Sequence, residues 1–339
     1  MKFIHIIFFG LALIATVSCS KSSDENQNPQ GSKDFELYID FWNNNGANPQ
    51  INFDGANSSP EIKIDFSKTF AGVTEPPNLT KVLIDNVRVI DENNVNYTID
   101  KITAYEWRDD INDWKVDVEF IMKYKPVEDI GVVLALDASA SLGEDFTIIK
   151  EYAKDFVSKI FSSNPSAQIA IVDFADEVHV IGPTNDRNTL LTYIHNIEQG
   201  SFTSLYEAMY LSIDSLQKVD VEGKAIATFT DGTDNNSDPQ YTPARIYNKL
   251  TNDPNQIRVS SFTIGFEGNG GVDRLVLENL AANGGIAEFP NTVEELGEVF
   301  DKFSASISNV YNLTYIRNQQ KIPQTDPAKL KFVLTASPK

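Results

Sequence analysis

The run Ile130-Gly131-Val132-Val133-Leu134-Ala135-Leu136 leads straight into Asp137-Ala138-Ser139-Ala140-Ser141, and the reading of this stretch decides the fold. A short apolar run bounded by polar residues suits a strand covered on both faces, as in a parallel sheet flanked by helices. Similar runs recur at Ile169 to Phe174, Ala225 to Phe229 and Val259 to Phe266. Between them the apolar residues take helical spacing: Phe146, Ile149, Tyr152, Phe156 and Ile160 in one segment, Leu296, Val299, Phe300, Phe303 and Ile307 in another. Helix starts are marked by Thr292 with Glu295 and by Ser204 with Glu207, both spaced as capping boxes, and by Thr242-Pro243, an N-cap followed by proline. Strands alternating with helices predict an α/β unit over 127–310 with a mostly parallel, Rossmann-like sheet.

Upstream the period changes to two. Leu37, Ile39 and Phe41 alternate, as do Ile62, Ile64 and Phe66, and then Val116, Val118, Phe120, Met122 and Tyr124. Clusters of Pro, Gly and Asn at 43–50, 54–60 and 74–78 punctuate them at spacings that suit an immunoglobulin-like β-sandwich over 34–126. After the last helix Tyr311, Leu313 and Tyr315 alternate again, and 329–334 reads as a further strand. The C-terminal segment 311–339 is expected to rejoin the sandwich, which places the α/β unit inside a split β unit.

The N-terminus carries a different signal. Lys2 precedes a run from Phe3 to Val17 that is apolar, His5 and Gly10 aside, too short to span a bilayer and of the length of a secretory core, so 1–18 reads as a leader. Cys19 follows at once and is the sole cysteine, which excludes an intramolecular disulfide and a thiolate zinc site. A lone cysteine there resembles the lipidation site of bacterial lipoproteins, in the looser form of the Bacteroidetes kind. The charged patch from Lys21 to Glu25 is similar to their surface-export signal. The polar stretch 19–33 reads as a flexible tether. This resemblance implies an outer-membrane lipoprotein, anchored through lipid on Cys19 and facing the cell surface.

Composition narrows the partners. Lys and Arg number 28 against 48 Asp and Glu, a formal charge of −20, with no basic cluster. A polyphosphate backbone needs a basic stripe to displace its counterions, so nucleic acid is excluded as a partner.

Chemistry is expected where strands end, because ligands of open α/β sheets sit outside the carboxyl ends of the strands. Asp137, Ser139 and Ser141 stand at one such end, Asp231 at another in Thr230-Asp231-Gly232, and Thr203 in a loop that enters a helix. Two carboxylates and three hydroxyls are hard oxygen donors. Without Cys or His they suit Mg²⁺, Mn²⁺ or Ca²⁺ rather than zinc.

At this point the sequence resembles the von Willebrand factor A (VWA) domain family, whose metal-ion-dependent adhesion site (MIDAS) carries Asp-x-Ser-x-Ser, a later Thr and a later Asp. Thr228-Phe229-Thr230-Asp231-Gly232 with Asp234-Asn235, Leu205-Tyr206 opening a helix, and Phe262-Thr263-Ile264-Gly265 agree with the family as well. The resemblance implies that Ser139 and Ser141 bind the metal directly, that Thr203 joins directly or through water, and that Asp137 and Asp231 act mostly through bound water. One coordination position then remains for an acidic side chain of a protein partner. The residue before the threonine is usually Gly in the family, and here it is Phe202. The function so implied is adhesion or protein capture without catalysis; the alternative is a structural scaffold in which the metal only stabilises the fold.

Other motifs carry less. Asp234, Asn236 and Asp238 mimic the start of an EF-hand loop, but Pro239 stands where that loop needs Gly. The glycines from Gly265 to Gly271 fit neither phosphate-loop pattern. His179 and His195 lie near no Ser or Cys nucleophile in sequence, and no catalytic residue is assigned.

Overall fold

A computed structural model describes residues 31–42, 50–52, 62–63, 70–73, 79–91, 93, 95–117, 121–251, 259–267, 271–318 and 328–339. The leader, Cys19 and the tether up to residue 30 lie outside the described residues, as do Ile64, Phe66, Val118, Phe120, residues 268–270 and the turn clusters 43–49, 54–60 and 74–78. Among the described residues no helix is long and apolar enough to cross a membrane.

The first strand, β1 (Lys33–Trp42), folds as its alternation dictates: Phe35, Leu37 and Ile39 are buried while Glu36, Tyr38 and Asp40 are only half-buried. It is followed by β2 (Gln50–Asn52), β3 (Ile62–Lys63), β4 (Phe70–Val73), β5 (Leu79–Val89), β6 (Tyr97–Arg108), β7 (Asp113–Val116) and β8 (Ile121–Pro126). The α/β part then runs β9 (Ile130–Asp137), α1 (Phe146–Ser163), β10 (Gln168–Phe174), β11 (Val178–Thr184), α2 (Arg187–Asn196), α3 (Leu205–Gln217), β12 (Gly223–Thr230), α4 (Pro243–Thr251), β13 (Ser260–Gly265), α5 (Arg274–Leu280), β14 (Ala287–Glu288) and α6 (Val293–Ser308). Two strands close the chain, β15 (Tyr311–Asn318) and β16 (Ala328–Pro338).

The α/β sheet has the order β11-β10-β9-β12-β13-β14, parallel except for β11. All eight residues of β9 are buried, and the two helical layers explain why the run is continuously apolar. Val132, Leu134 and Leu136 meet α1, α2 and α6, whereas Val133 and Ala135 meet α3, α4 and α5. Each wholly buried Leu or Val contributes about 1.5–3 kcal/mol, so both faces of the strand hold the layers together.

Two antiparallel sheets enclose a second core. One has the order β2-β1-β16-β6-β7, the other β3-β5-β15-β8 with β4 on β5. Leu37 of β1 and Phe332 of β16 pack in one cluster with Ile84 and Val87 of β5 and Leu313 and Tyr315 of β15. The strands after the α/β part thus pair with those before it: β16 lies between β1 and β6, and β15 between β5 and β8.

Three local readings are corrected. The alternation from Val116 to Tyr124 is not one strand: Val116 ends β7, which pairs with β6, and the chain crosses to the other sheet, where β8 pairs with β15. Ser204 does not close a capping box, because its hydroxyl donates to Ala175 O at 2.8 Å. The first turn of α3 is capped from elsewhere, Tyr206 N–H donating to Asp234 and Glu207 N–H to Ser237 Oγ. The strands β11 and β14 went unread: both lie at sheet edges with every residue half-exposed or exposed, β11 offers only the short run Val178 to Ile181 before Gly182 and Pro183, and β14 is two residues long. By contrast, Thr292 and Glu295 form the capping box their spacing predicts, and Arg245 N–H donates to Thr242 Oγ1 at the start of α4.

The two cores meet at the end of α6. Its last turn holds no basic residue, and Arg88 of β5 takes that place, donating from Nε to Ser306 O at 3.2 Å with its guanidinium over the Phe262 ring at 5.5 Å. A cation suits the negative end of a helix. Ser306 Oγ bonds Asn96 Oδ1, and Asn309 Nδ2 donates to Tyr97 O.

Candidate metal centre

Asp137 is the last residue of β9, and Asp231 follows β12, the adjacent parallel strand. Parallel pairing puts both carboxylates at the same end of the sheet. The hydroxyls of Ser139 and Ser141 converge on one oxygen of Asp231, Oδ1, at 3.2 and 2.9 Å, and lie 2.9 Å from each other. Asp137 accepts the Ser139 N–H on Oδ1 at 2.8 Å and the Thr230 hydroxyl on Oδ2 at 2.6 Å.

Both carboxylates are fully buried. Burial pushes the Asp137 carboxyl up to about 6, against the opposing effect of the Thr230 and Ser139 hydrogen bonds, and the Asp231 charge adds to the rise. Burial also raises Asp231 above the ordinary carboxylate range. Among the described residues neither carboxylate has a cationic side chain acting on it, and Asp231 Oδ2 is buried with no hydrogen-bond partner. Two buried anions with an orphaned oxygen are costly unless a cation offsets them.

A second loop brings the threonine. Gly200 pairs with Ser139, its N–H donating to Ala138 O and its carbonyl accepting from Ala140 N–H. A side chain there is excluded, because a Cβ would sit 2.7 Å from Ala175 Cβ and collide with the Asp176 carboxylate. That carboxylate accepts the Ser201 N–H at 2.6 Å. Thr203 is fixed through its backbone: its N–H donates to Asn235 Oδ1 at 2.9 Å, and its carbonyl accepts from Asn235 N–H at 3.0 Å. Its hydroxyl lies beside Gly232, 3.7 Å from where a Cβ would stand. Phe202, next to it, is 48% exposed.

The fold therefore brings Asp137, Ser139, Ser141 and Asp231 into direct contact or one residue from it, and places Thr203 on the neighbouring loop. Cys19 lies outside the described residues. Thr230, Asn235 and Asp176 serve the same locality, and sequence reasoning had assigned them no role. Among the described residues no three His, Cys, Asp or Glu side chains converge; this locality is built from two carboxylates and hydroxyls. Such hard oxygens fit Mg²⁺, Mn²⁺ or Ca²⁺, and the orphaned Asp231 oxygen would give such a cation a buried anionic partner.

The other motifs resolve as structure. Asp234 caps α3, Asn236 donates to Ser204 Oγ and Asp176 O, and Asp238 accepts the Gln240 N–H, so the EF-hand mimic points at three different neighbours. His179 contacts Asp173, which also accepts the Tyr193 hydroxyl.

A mostly parallel sheet flanked by helices, with acidic and hydroxyl side chains gathered at its strand ends, defines a doubly wound domain. Residues 131–305 match the von Willebrand factor type A domain, and the chain belongs to that family. No curated protein sequence matches the chain significantly. Among solved structures it is similar to proximal thread matrix protein 1 from the mussel byssus with a zinc-occupied MIDAS motif, at 15% identity and TM-score 0.47, covering 59% of this chain and 50% of that one. The chain thus spans half the length of that protein. BatB from Bacteroides thetaiotaomicron is similar at 18% identity and TM-score 0.38, covering 52% of this chain and 98% of that one. The domain of the type V pili tip protein Mfa5 from Porphyromonas gingivalis is similar at 14% identity and TM-score 0.42, covering 54% and 96%.

Proposed function

We propose that the protein is an outer-membrane lipoprotein, held by lipid on Cys19 and facing the cell surface, that captures a protein partner through a divalent cation. The α/β unit over 127–310 does the capturing, and it is inserted in an immunoglobulin-like sandwich formed by 34–126 and 311–339. Asp137, Ser139, Ser141, Thr203 and Asp231 hold Mg²⁺, or Mn²⁺ or Ca²⁺ in its place. When bound, the cation supplies an electrophilic centre for a partner's Asp or Glu carboxylate. Asp137 and Asp231 supply the charge, and Thr230 keeps Asp137 oriented. The observation that carries this reading is the convergence of two serine hydroxyls on Asp231 Oδ1 while Oδ2 stays buried without a partner.

Calorimetric titration of Mg²⁺, Mn²⁺ and Ca²⁺ into the metal-stripped protein tests it, beside Asp137→Ala and the milder Ser141→Ala at an exposed position. One saturable site, lost in the first variant and weakened in the second, is expected. Equal binding by the parent and both variants, or no saturable binding at all, overturns the assignment. Chelation that lowers the melting temperature but leaves partner capture intact favours the scaffold reading instead.

A further inference from the structure

The segments 138–145, 175–177, 231–242, 266–267 and 271–273, beside the carboxyl ends of the parallel strands, together with 197–204, which enters α3 and pairs with Ser139 through Gly200, contain ten Asp and Glu and no Lys, Arg or His. Of these, Glu144, Asp176, Glu177, Glu198, Asp238 and Asp273 are exposed. Three bases on the following helices lie nearest, Lys150 donating to His195 O and Ile197 O, Arg245 to Gln240 O and Arg274 paired with Glu267, and they leave the rim with an excess of negative charge. A dication at the strand ends offsets the buried Asp137 and Asp231, and the rim around it stays negative. Any carboxylate approaching the cation crosses that rim, whose charges act over about 8 Å at physiological salt.

Resting on the reading above, we propose that the partner presents its carboxylate from within a Lys/Arg-rich segment, with an apolar side chain seated on Phe202. The rim repels a carboxylate flanked by acids and draws in one flanked by bases, so it selects partners as well as attracting them. The orphaned Asp231 oxygen marks the cation's place inside that rim. Phe202 is 48% exposed, yet it stands on a fixed loop: Ser201 is tied to Asp176 on one side and Thr203 to Asn235 on the other. An aromatic ring on a rigid loop beside a charged centre offers a partner an apolar anchor at small entropic cost.

The test uses the full chain and short synthetic peptides, each with a single Glu and a neighbouring Leu, flanked by Lys and Arg, by Ser and Gly, or by Asp. A control carries Gln for Glu among the basic flanks. Binding is followed by surface plasmon resonance in Mg²⁺ and in EDTA, at low and high salt. The basic-flanked peptide should bind roughly tenfold tighter than the neutral one at low salt, with the preference fading as salt rises. Glu144→Lys with Glu198→Lys should slow its association, and Phe202→Ser should speed its dissociation. Equal Mg²⁺-dependent binding of basic and neutral peptides overturns this proposal and leaves cation-bridged capture standing. Basic peptides that bind as well in EDTA, or with Gln for Glu, overturn it too, because the rim then acts without the cation. If every peptide fails to bind in Mg²⁺ while calorimetry detects the cation, capture itself is overturned along with the proposal.

Discussion

Thr203 is positioned by its backbone rather than by its own side chain, so the residue that positions it, Asn235, is the place to test the geometry. Asn235→Ala removes the acceptor for the Thr203 N–H. The expected cost in stability is about 1 kcal/mol, and the expected fall in divalent-cation affinity is roughly tenfold, as for other supporting partners of metal ligands. Asn235→Asp retains an acceptor and should lie near the parent. Titration calorimetry beside thermal unfolding separates the two effects, and unchanged cation affinity in the alanine variant would remove Asn235 from the supporting role. The same residue shows where sequence reading stops. Asp137, Ser139 and Ser141 are legible because they sit within one turn of chain. Asn235 bonds a residue 32 positions away, Asp176 one 25 away and Thr230 one 93 away, and each is an ordinary loop or strand residue until the fold supplies its partner.

Among the elements, α3 and α6 make a controlled pair. Both are capped by side chains, α6 by its own Thr292 and Glu295, α3 by Asp234 and Ser237 from the loop after β12. Thr292→Ala and Asp234→Ala should each cost about 1 kcal/mol. Only the second should also lower cation affinity, because α3 begins two residues beyond Thr203. Equal affinities in both variants would mean that the cap and the metal locality are independent. The buried strands β9, β10, β12 and β13 were legible because being covered on both faces forces an unbroken apolar run. β11 and β14 were not: Gly182 and Pro183 interrupt the short run Val178 to Ile181 of β11, and β14 is only two residues long. The break between β7 and β8 was hidden for another reason: an alternating pattern states which face is buried but not which sheet the strand joins.

At the level of the whole molecule, contacts distant in sequence hold the β part together, and one of them titrates. Asp91, between β5 and β6, is buried, which by itself raises its carboxyl; the Val95 and Asn93 N–H groups and the Lys33 ammonium outweigh that and hold it below the ordinary value. A depressed folded-state value means that the contribution is fully present above the unfolded value of about 3.9 and is lost as pH falls through the folded one. Thermal unfolding of the parent and of Asp91→Asn across an acid series should show the variant less stable at neutral pH and less sensitive to acid; parallel curves would contradict this. A second expectation concerns β16. It lies inside its sheet, between β1 and β6, and Phe332 is fully buried, so Phe332→Ala should cost about 3–5 kcal/mol, measured by denaturant unfolding. The position of β16 also bears on timing. Lys331 reaches Glu36 across 295 positions, so as the chain emerges from its N-terminus, β1 appears long before the strand it must pair with, and every strand of the α/β sheet appears in between. Order of emergence and order of completion are thus reversed: the inner unit can finish folding first, and the strands on its N-terminal side wait, edges exposed, until β16 follows and closes the sheet.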